Sequence, residues 1–532
     1  MTTRSVCLVL LAAGTVCVAA DDGGGQRRAA AARASAPKTA PASAWKQAAY
    51  VKASNPRAGA QFGFSAALSA DGTTLAVGSQ MEESAAAGIN GNQDDHSMFG
   101  AGAVYVYVRG PNGWSQQAYI KAAHPHQDDQ FGFGVSLSAD GNTLAVSAPY
   151  EDSAATGING DDTNTSMANS GAVYLFTRRG TTWSQQAYIK ASNTGEAEEG
   201  DQFGYSISLT ADGNQLVVGA IGEDSAATGV NGNQKDNAAP GSGAAYVFTR
   251  SGSTWSQHAY LKAANAMANF LFGYSVAFSG DGSTIAVGSF DEAGSSREIN
   301  GPYDRRAGGT GAVYVFTRSG ATWAQQAYLK AKEGDRQDSM GCWVAISSDG
   351  NTVAAGALDE DTMVGGINVV QSGHSGVVDG PDDNSSGAAY VFARNGTTWT
   401  EQANFKASNV GKHDWFGIRL DLSGDGNSLA VGAPNEDSAA QGINGNQDDN
   451  SADEAGAVYL FGRSGTTWSQ QVYFKGSNTE KFDEFSSAIA LSRDGRTMAV
   501  GAHFESGGAK GINGNQRDNS MPQAGAVYIF VR

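Results

Sequence analysis

The chain has 532 residues, 40% of them hydrophobic, and its 53 Asp and Glu against 35 Lys and Arg give a formal charge of −18. That charge opposes binding to nucleic acid or anionic membranes and favours solubility and cationic partners. Of three cysteines only Cys342 lies beyond residue 20, so a chain processed there can form neither an intramolecular disulfide nor a cysteine-based zinc site.

Residues 1–20 carry Arg4 and then the apolar run VCLVLLAAGTVCVAA, the charge, length and small-residue ending of a secretory signal. Val18-Ala19-Ala20 suits cleavage by an ordinary signal peptidase. Cys17 offers the alternative of a lipid anchor, although Val16 stands before it where Gly or Ala is usual. The expectation is export to the periplasm, the cell surface or the medium, with no transmembrane segment in the mature chain. Residues 21–43, DDGGGQRRAAAARASAPKTAPAS, have almost nothing to bury and read as a low-complexity tether.

From residue 44 the composition changes. A segment AWKQAAYVKA occupies 44–53, and a longer unit then recurs, clearest over 131–191 as FGFGVSLSADG, NTLAVSAP, YEDSAATGINGDDTNTSMANS and GAVYLFTRRGTTWSQQAYIKA. Four apolar or alternating runs of about five to eight residues, bounded by Gly, Asp or Asn, predict four short strands. Asp-Gly after the first and Arg-x-Gly-Thr-like segments after the third suit tight hairpins, which makes each unit a four-stranded antiparallel meander. Three independent landmarks each occur seven times: the Asp-Gly turns from Asp71 to Asp494, the strand-three arginines from Arg109 to Arg532, and the strand-four tryptophans from Trp45 to Trp468. Phase decides the architecture. A strand-four sequence comes first without the three strands that should precede it, and the last unit stops after strand three. Joining the two ends completes one blade, so the expectation is an all-β, seven-bladed β-propeller over 44–532, closed by the N-terminal strand.

Phe131-Gly132, Phe203-Gly204 and Phe272-Gly273, each followed by an AVGAP-like strand and then GAVYVF, resemble the FG-GAP repeats of integrin alpha-subunit propellers. The resemblance covers 44–532 and implies an interaction module, although fold analogy alone names no partner. The calcium loop of that family is an Asp-rich turn between strands one and two. Here the turn has shrunk to SADGNT and its equivalents, whose single carboxylate cannot supply the six or more oxygens calcium needs. No cofactor is expected, and any calcium would have to sit in the loops between strands two and three, at acids such as Glu151, Asp161 and Asp162.

Strand parity places those loops, and the links from strand four to the next blade, on one face. Glu82, Glu151, Glu223, Glu292, Glu360, Glu436 and Glu505 open the loops, and Lys52, Lys121, Lys190, Lys262, Lys330, Lys406 and Lys475 close strand four. Asp129, Asp201, Asp338, Asp414 and Asp483 stand two residues before strand one in five blades. Recurrence in blade after blade argues first for architecture, through bonds to loop backbone or pairing between blades, and second for a ring that binds cations or a ligand. Exposed pairs of this kind contribute only ~0.2–1 kcal/mol each.

Catalytic constellations are thin. His124 and His126 could ligate a metal but read better as solvated surface; Cys342 in MGCWVAIS reads as a buried thiol. Asp128 with Asp129, or Asp382 with Asp383, could serve as glycosidase carboxylates only at the right separation. Blade five breaks the pattern. Met340-Gly341 replaces Phe-Gly, and Glu360 to Gly387 spans 27 residues against 20 in five other blades, adding His374, Asp379, Asp382 and Asp383. Long irregular loops on a rigid scaffold are where binding concentrates, although such an insertion is also tolerated at little entropic cost. The leading expectation is a monomeric, exported, non-enzymatic binding or adhesion propeller presenting an acidic loop-rich face to a protein or glycan at the cell envelope. A polysaccharide hydrolase or lyase, and a structural envelope protein without a specific ligand, are the alternatives.

Overall fold

The computed structural model describes residues 45–194, 200–370 and 384–532. The leader, the tether, Cys17, His374, Asp379, Asp382 and Asp383 lie outside the described residues. Seven antiparallel sheets follow one another along the chain. The first blade is typical, with strands Phe62–Leu68, Thr74–Ser79, Ala103–Gly110 and Gly113–Ile120 paired in sequence order. The last joins the ends: Lys46–Val51 lies antiparallel to Ala526–Val531 with Tyr50 opposite Tyr528, and completes the sheet of Phe485–Leu491 and Thr497–Ala502. The ring has no seam.

Strands two and three are buried along nearly their whole length because each blade is sandwiched between two others. The core is correspondingly divided into interblade clusters. In one, Val104, Val106 and Ile120 of the first blade meet Leu144, Tyr174 and Phe176 of the second. The Phe-Gly pair that opens strand one serves this packing in two ways. Phe131 sets its ring 5.3 Å from that of Tyr174, while Gly132, at φ 95°, lets the first blade approach so closely that a Cβ there would lie 2.6 Å from the Ala103 carbonyl oxygen. Met340-Gly341 in blade five keeps that glycine at φ 93°; blade seven places Ser486 there at φ 110°.

Each Asp-Gly turn uses its carboxylate internally. Asp140 Oδ1 accepts from Ser138 Oγ at 2.6 Å and from the Asn142 N–H at 3.0 Å. The turns are also joined to one another around the axis by backbone bonds, from Ala70 N to Ala139 O (2.9 Å), Ala139 N to Ala211 O (2.8 Å), Ala211 N to Gly280 O (3.2 Å), Asp281 N to Ser348 O (3.1 Å), Ser348 N to Gly424 O (2.8 Å), Gly424 N to Arg493 O (2.8 Å) and Arg493 N to Ala70 O (3.2 Å). This closed ring narrows the axis at the tight-turn face, and the Arg493 guanidinium lies within it, donating to Ser348 Oγ at 2.8 Å.

On the opposite face the Gly-Ile-Asn-Gly segments fold back along strand four. Ile89 pairs with Ile120, Ile158 with Ile189 and Ile443 with Phe474, and in blade five Gly366–Ile367 adds a short fifth strand to Thr398–Lys406. The uniform loop length thus follows from a local task, covering the outer edge of each blade. Near the tight turns, Arg178 Nη1 and Trp183 Nε1 both donate to Gln117 Oε1 of the preceding blade, at 3.1 and 2.9 Å. Arg250, Arg394 and Arg463 repeat the arrangement with their own tryptophans.

Candidate functional site

The two sevenfold charge sets find each other, within the blade rather than between blades, and in the interior rather than at the surface. Glu82 pairs with Lys121 at 2.8 Å, Glu151 with Lys190 at 2.6 Å, Glu223 with Lys262 at 2.7 Å, Glu292 with Lys330 at 2.9 Å, Glu436 with Lys475 at 2.8 Å and Glu505 with Lys52 at 2.6 Å; Glu360 pairs with Lys406. No partner is more than 4% exposed. In blade two, Tyr188 Oη donates to Glu151 Oε1 at 2.9 Å and Lys190 Nζ to Ser170 Oγ at 2.6 Å. An asparagine carries the connection onward: Asn193, three residues past Lys190, donates to Glu223 of the next blade at 3.1 Å and accepts from Tyr246 Oη at 2.6 Å. Asn55, Asn265, Asn409 and Asn478 do the same. These acids are committed to the scaffold.

The five recurrent aspartates are buried beside those pairs. Asp129 accepts the His126 N–H at 2.9 Å, Asp338 that of Asp335 at 2.7 Å, Asp414 that of Gly411 at 2.7 Å and Asp483 that of Glu480 at 2.9 Å. Desolvation pushes Asp129 up to about 7 and Asp338, Asp414 and Asp483 up to about 8. A carboxyl whose pKa rises on folding binds more protons in the native state, so its contribution is full below the unfolded value near ~4 and is lost as pH climbs through the folded value. His503, pushed down to about 3 by burial, acts in the opposite sense but only below its unfolded value of ~6.5. Burial also lowers the recurrent lysines, which act in the opposite sense toward the alkaline end. The melting temperature is therefore expected to fall as pH rises from about 6.5 to 8.5. Replacing Asp338, Asp414 and Asp483 together by Asn should flatten that slope in scanning calorimetry; a melting temperature that rises over this interval would refute the assignment.

Other sequence candidates separate. Asp161 Oδ1 accepts from Thr163 N and Oγ1, and Asp162 pairs at 2.8 Å with the His124 ring, while Glu151 holds Lys190. His126 faces Asp129 at 3.6 Å. Among the described residues no cluster of three or more His, Cys, Asp or Glu is placed to hold a metal. Asp128 is exposed and Asp129 buried, on different sides of the chain. Burial pushes the Cys342 thiol up to about 12, an unreactive state at neutral pH.

What the recurrent landmarks concealed lies on the axis. The residue two places after each Phe or Met that opens strand one is Phe64, Phe133, Tyr205, Tyr274, Cys342, Ile418 or Ser487, and four of these form an aromatic arc. Ring centroids are 5.3 Å apart from Phe64 to Phe133, 5.3 Å from Phe133 to Tyr205 and 5.0 Å from Tyr205 to Tyr274, which stacks on Phe290 at 4.6 Å. Arg419, on strand one of blade six, lies over Trp343 at 4.3 Å and donates from Nε to Ser487 O and from Nη1 to Ile418 O. The residue before each strand-one opening is in the left-handed region throughout, at Gln61, Gln130, Gln202, Leu271, Ser339, Trp415 and Glu484. Bulky Leu271 and Trp415 in that conformation are uncommon. The signal was present in the sequence as the position that varies while its frame does not.

These observations define a closed repeat propeller with a frame that recurs from blade to blade and an axis that does not. A model of the FG-GAP repeat matches residues 114–176, 183–248, 255–316 and 399–461, each match running from strand four of one blade to strand three of the next. The chain thus carries FG-GAP repeats on a seven-bladed propeller. Among solved structures, a protein from Bacteroides uniformis described as a candidate 6-phosphogluconolactonase is similar at 11% identity and a TM-score of 0.43, over 78% of this chain and 86% of that one. No curated protein matches the sequence.

Proposed function

We propose that the chain is an exported, non-enzymatic binding propeller that presents its loop-rich, acidic face to a protein or glycan partner at the cell envelope. One observation carries this reading. The large hydrophobic residues exposed among the described residues are Phe99, Tyr303, Met363, Val364, Val370 and Phe482, and every one stands in a loop of that face. Exposed apolar side chains mark an interaction surface where they gather into a patch, not where they stand singly. Three of the six belong to the blade-five loop, where Val370 is 81% exposed. The recurrent glutamates support the absence of catalysis, because each is held by a buried lysine. Shortening the blade-five loop to the blade-six length is expected to leave the melting temperature unchanged and to abolish retention on a glycan array or by cell-surface proteins. A trimmed chain that retains the same ligands as the parent would overturn the site, and turnover of any polysaccharide in a substrate panel would overturn the non-enzymatic reading.

A further inference from the structure

The rim of the propeller repeats from blade to blade, and the axis does not. Arg419 is the one arginine on any strand one, and it comes from blade six at the place where Ser65, Ser206 and Ser275 stand in other blades. Those serines each donate to the next blade's glycine carbonyl, Ser65 to Gly132 at 2.8 Å and Ser206 to Gly273 at 2.7 Å. Arg419 binds blade seven through Ser487 O instead, and its guanidinium is directed at the axis, close enough to feel Tyr205 and Tyr274 on blades three and four. Nη2 meets no acceptor among the described residues, and the side chain stays partly exposed although blades surround it. That exposure is to the axial channel.

Arg419 makes no ion pair among the described residues, although Glu484 lies within electrostatic reach of it. Glu484 makes no ion pair with Arg419 and faces His503 Nε2 at 3.7 Å; burial pushes Glu484 up to about 8 and His503 down to about 3. Asp359 accepts the Ser339 hydroxyl at 3.0 Å. Beside the cation stand flat apolar surfaces, the arc from Phe64 to Phe290 and the indole of Trp343. The far end is narrowed by the backbone ring and by Arg493, whose Nη1 would lie 2.3 Å from a Cβ on Gly280. Access is from the loop face.

We infer that the axial channel is a binding site for a small carboxylate that carries one flat apolar face, with the carboxylate on Arg419 Nη2 and the flat face on the aromatic arc. A guanidinium recognises a carboxylate by paired N–H donors, and aromatic rings accept either an aromatic acid or the apolar face of a hexuronate. The site goes beyond the loop-face reading and stands or falls without it.

Isothermal titration of the mature chain with benzoate and with galacturonate, each against its neutral counterpart benzyl alcohol or galactose, separates the two sources. One acid is expected to bind saturably and about tenfold or more tighter than its neutral counterpart, quenching tryptophan fluorescence. Arg419→Met should weaken that acid by about tenfold. Arg419→Lys, which keeps the charge and loses the fork, should bind between the two. The blade-five trim should bind the acid as the parent does. Neither acid binding at millimolar concentration, a neutral counterpart binding equally well, or Arg419→Met binding unchanged would each overturn the proposal. Should both Arg419 variants fail to fold, loss of the quenching in Trp343→Phe supports it and retention of that quenching overturns it.

Discussion

Deleting residues 44–53 is expected to cost the propeller its cooperative unfolding and to send the protein into aggregates, whereas deleting 21–43 should do neither. Among the described residues, the strand Lys46–Val51 is the only partner of one edge of Ala526–Val531, so its loss opens a row of unpaired main-chain groups along a buried strand. It also removes Tyr50 and Val51, neither of them exposed, and the Trp45 ring that meets Phe474 at 5.5 Å. Lys52 leaves with it. Glu505 then remains buried with no cation, which adds a charge penalty to the lost packing. Urea denaturation and gel filtration read both effects. A 44–53 deletion that unfolds in one transition at the parental midpoint would show that ring closure does not stabilise the fold.

The second large effect concerns a single charge. Lys190→Met should destabilise the protein by ~3–5 kcal/mol, because Glu151 keeps Tyr188 but loses its only ion-pair partner in a site closed to water. Adding Glu151→Gln should recover most of that loss, since a neutral amide can still accept from Tyr188 and the uncompensated charge is gone. Lys481→Met is the natural contrast. Lys481 and Asp453 are paired at 3.0 Å with side chains 52% and 56% exposed, and breaking such a pair should change stability by no more than ~1 kcal/mol. Equal effects at the two sites in urea titrations would mean that the Glu–Lys pairs are solvated.

The count and phase of the landmarks were enough for the fold. Seven Asp-Gly turns and a strand-four segment without its blade leave few alternatives to a closed ring. The sevenfold glutamates and lysines were equally visible, but their pairing was not, because Glu82 and Lys121 lie 39 residues apart and charges in polar loops ordinarily read as surface. The hydrogen-bonding company they keep, Tyr119, Asn55 and their equivalents, is what makes burial tolerable, and it is spread over two blades. The axial residues escaped for a different reason. Phe64, Tyr274 and Arg419 are linked only by position, one per blade, and repetition draws attention to what is shared. The blade-five loop stood out in the sequence by its length, and Met363, Val364 and Val370 on its described part add an apolar character that its acids and histidine did not announce.

The completed last blade has a geometric corollary. Lys46 lies opposite Val531, where strands three and four meet at the tight-turn face, so the folded ring is entered from that side and its final residue ends there too. A load applied through Lys46 would therefore pull on the tight-turn face of the propeller, the side opposite its long loops.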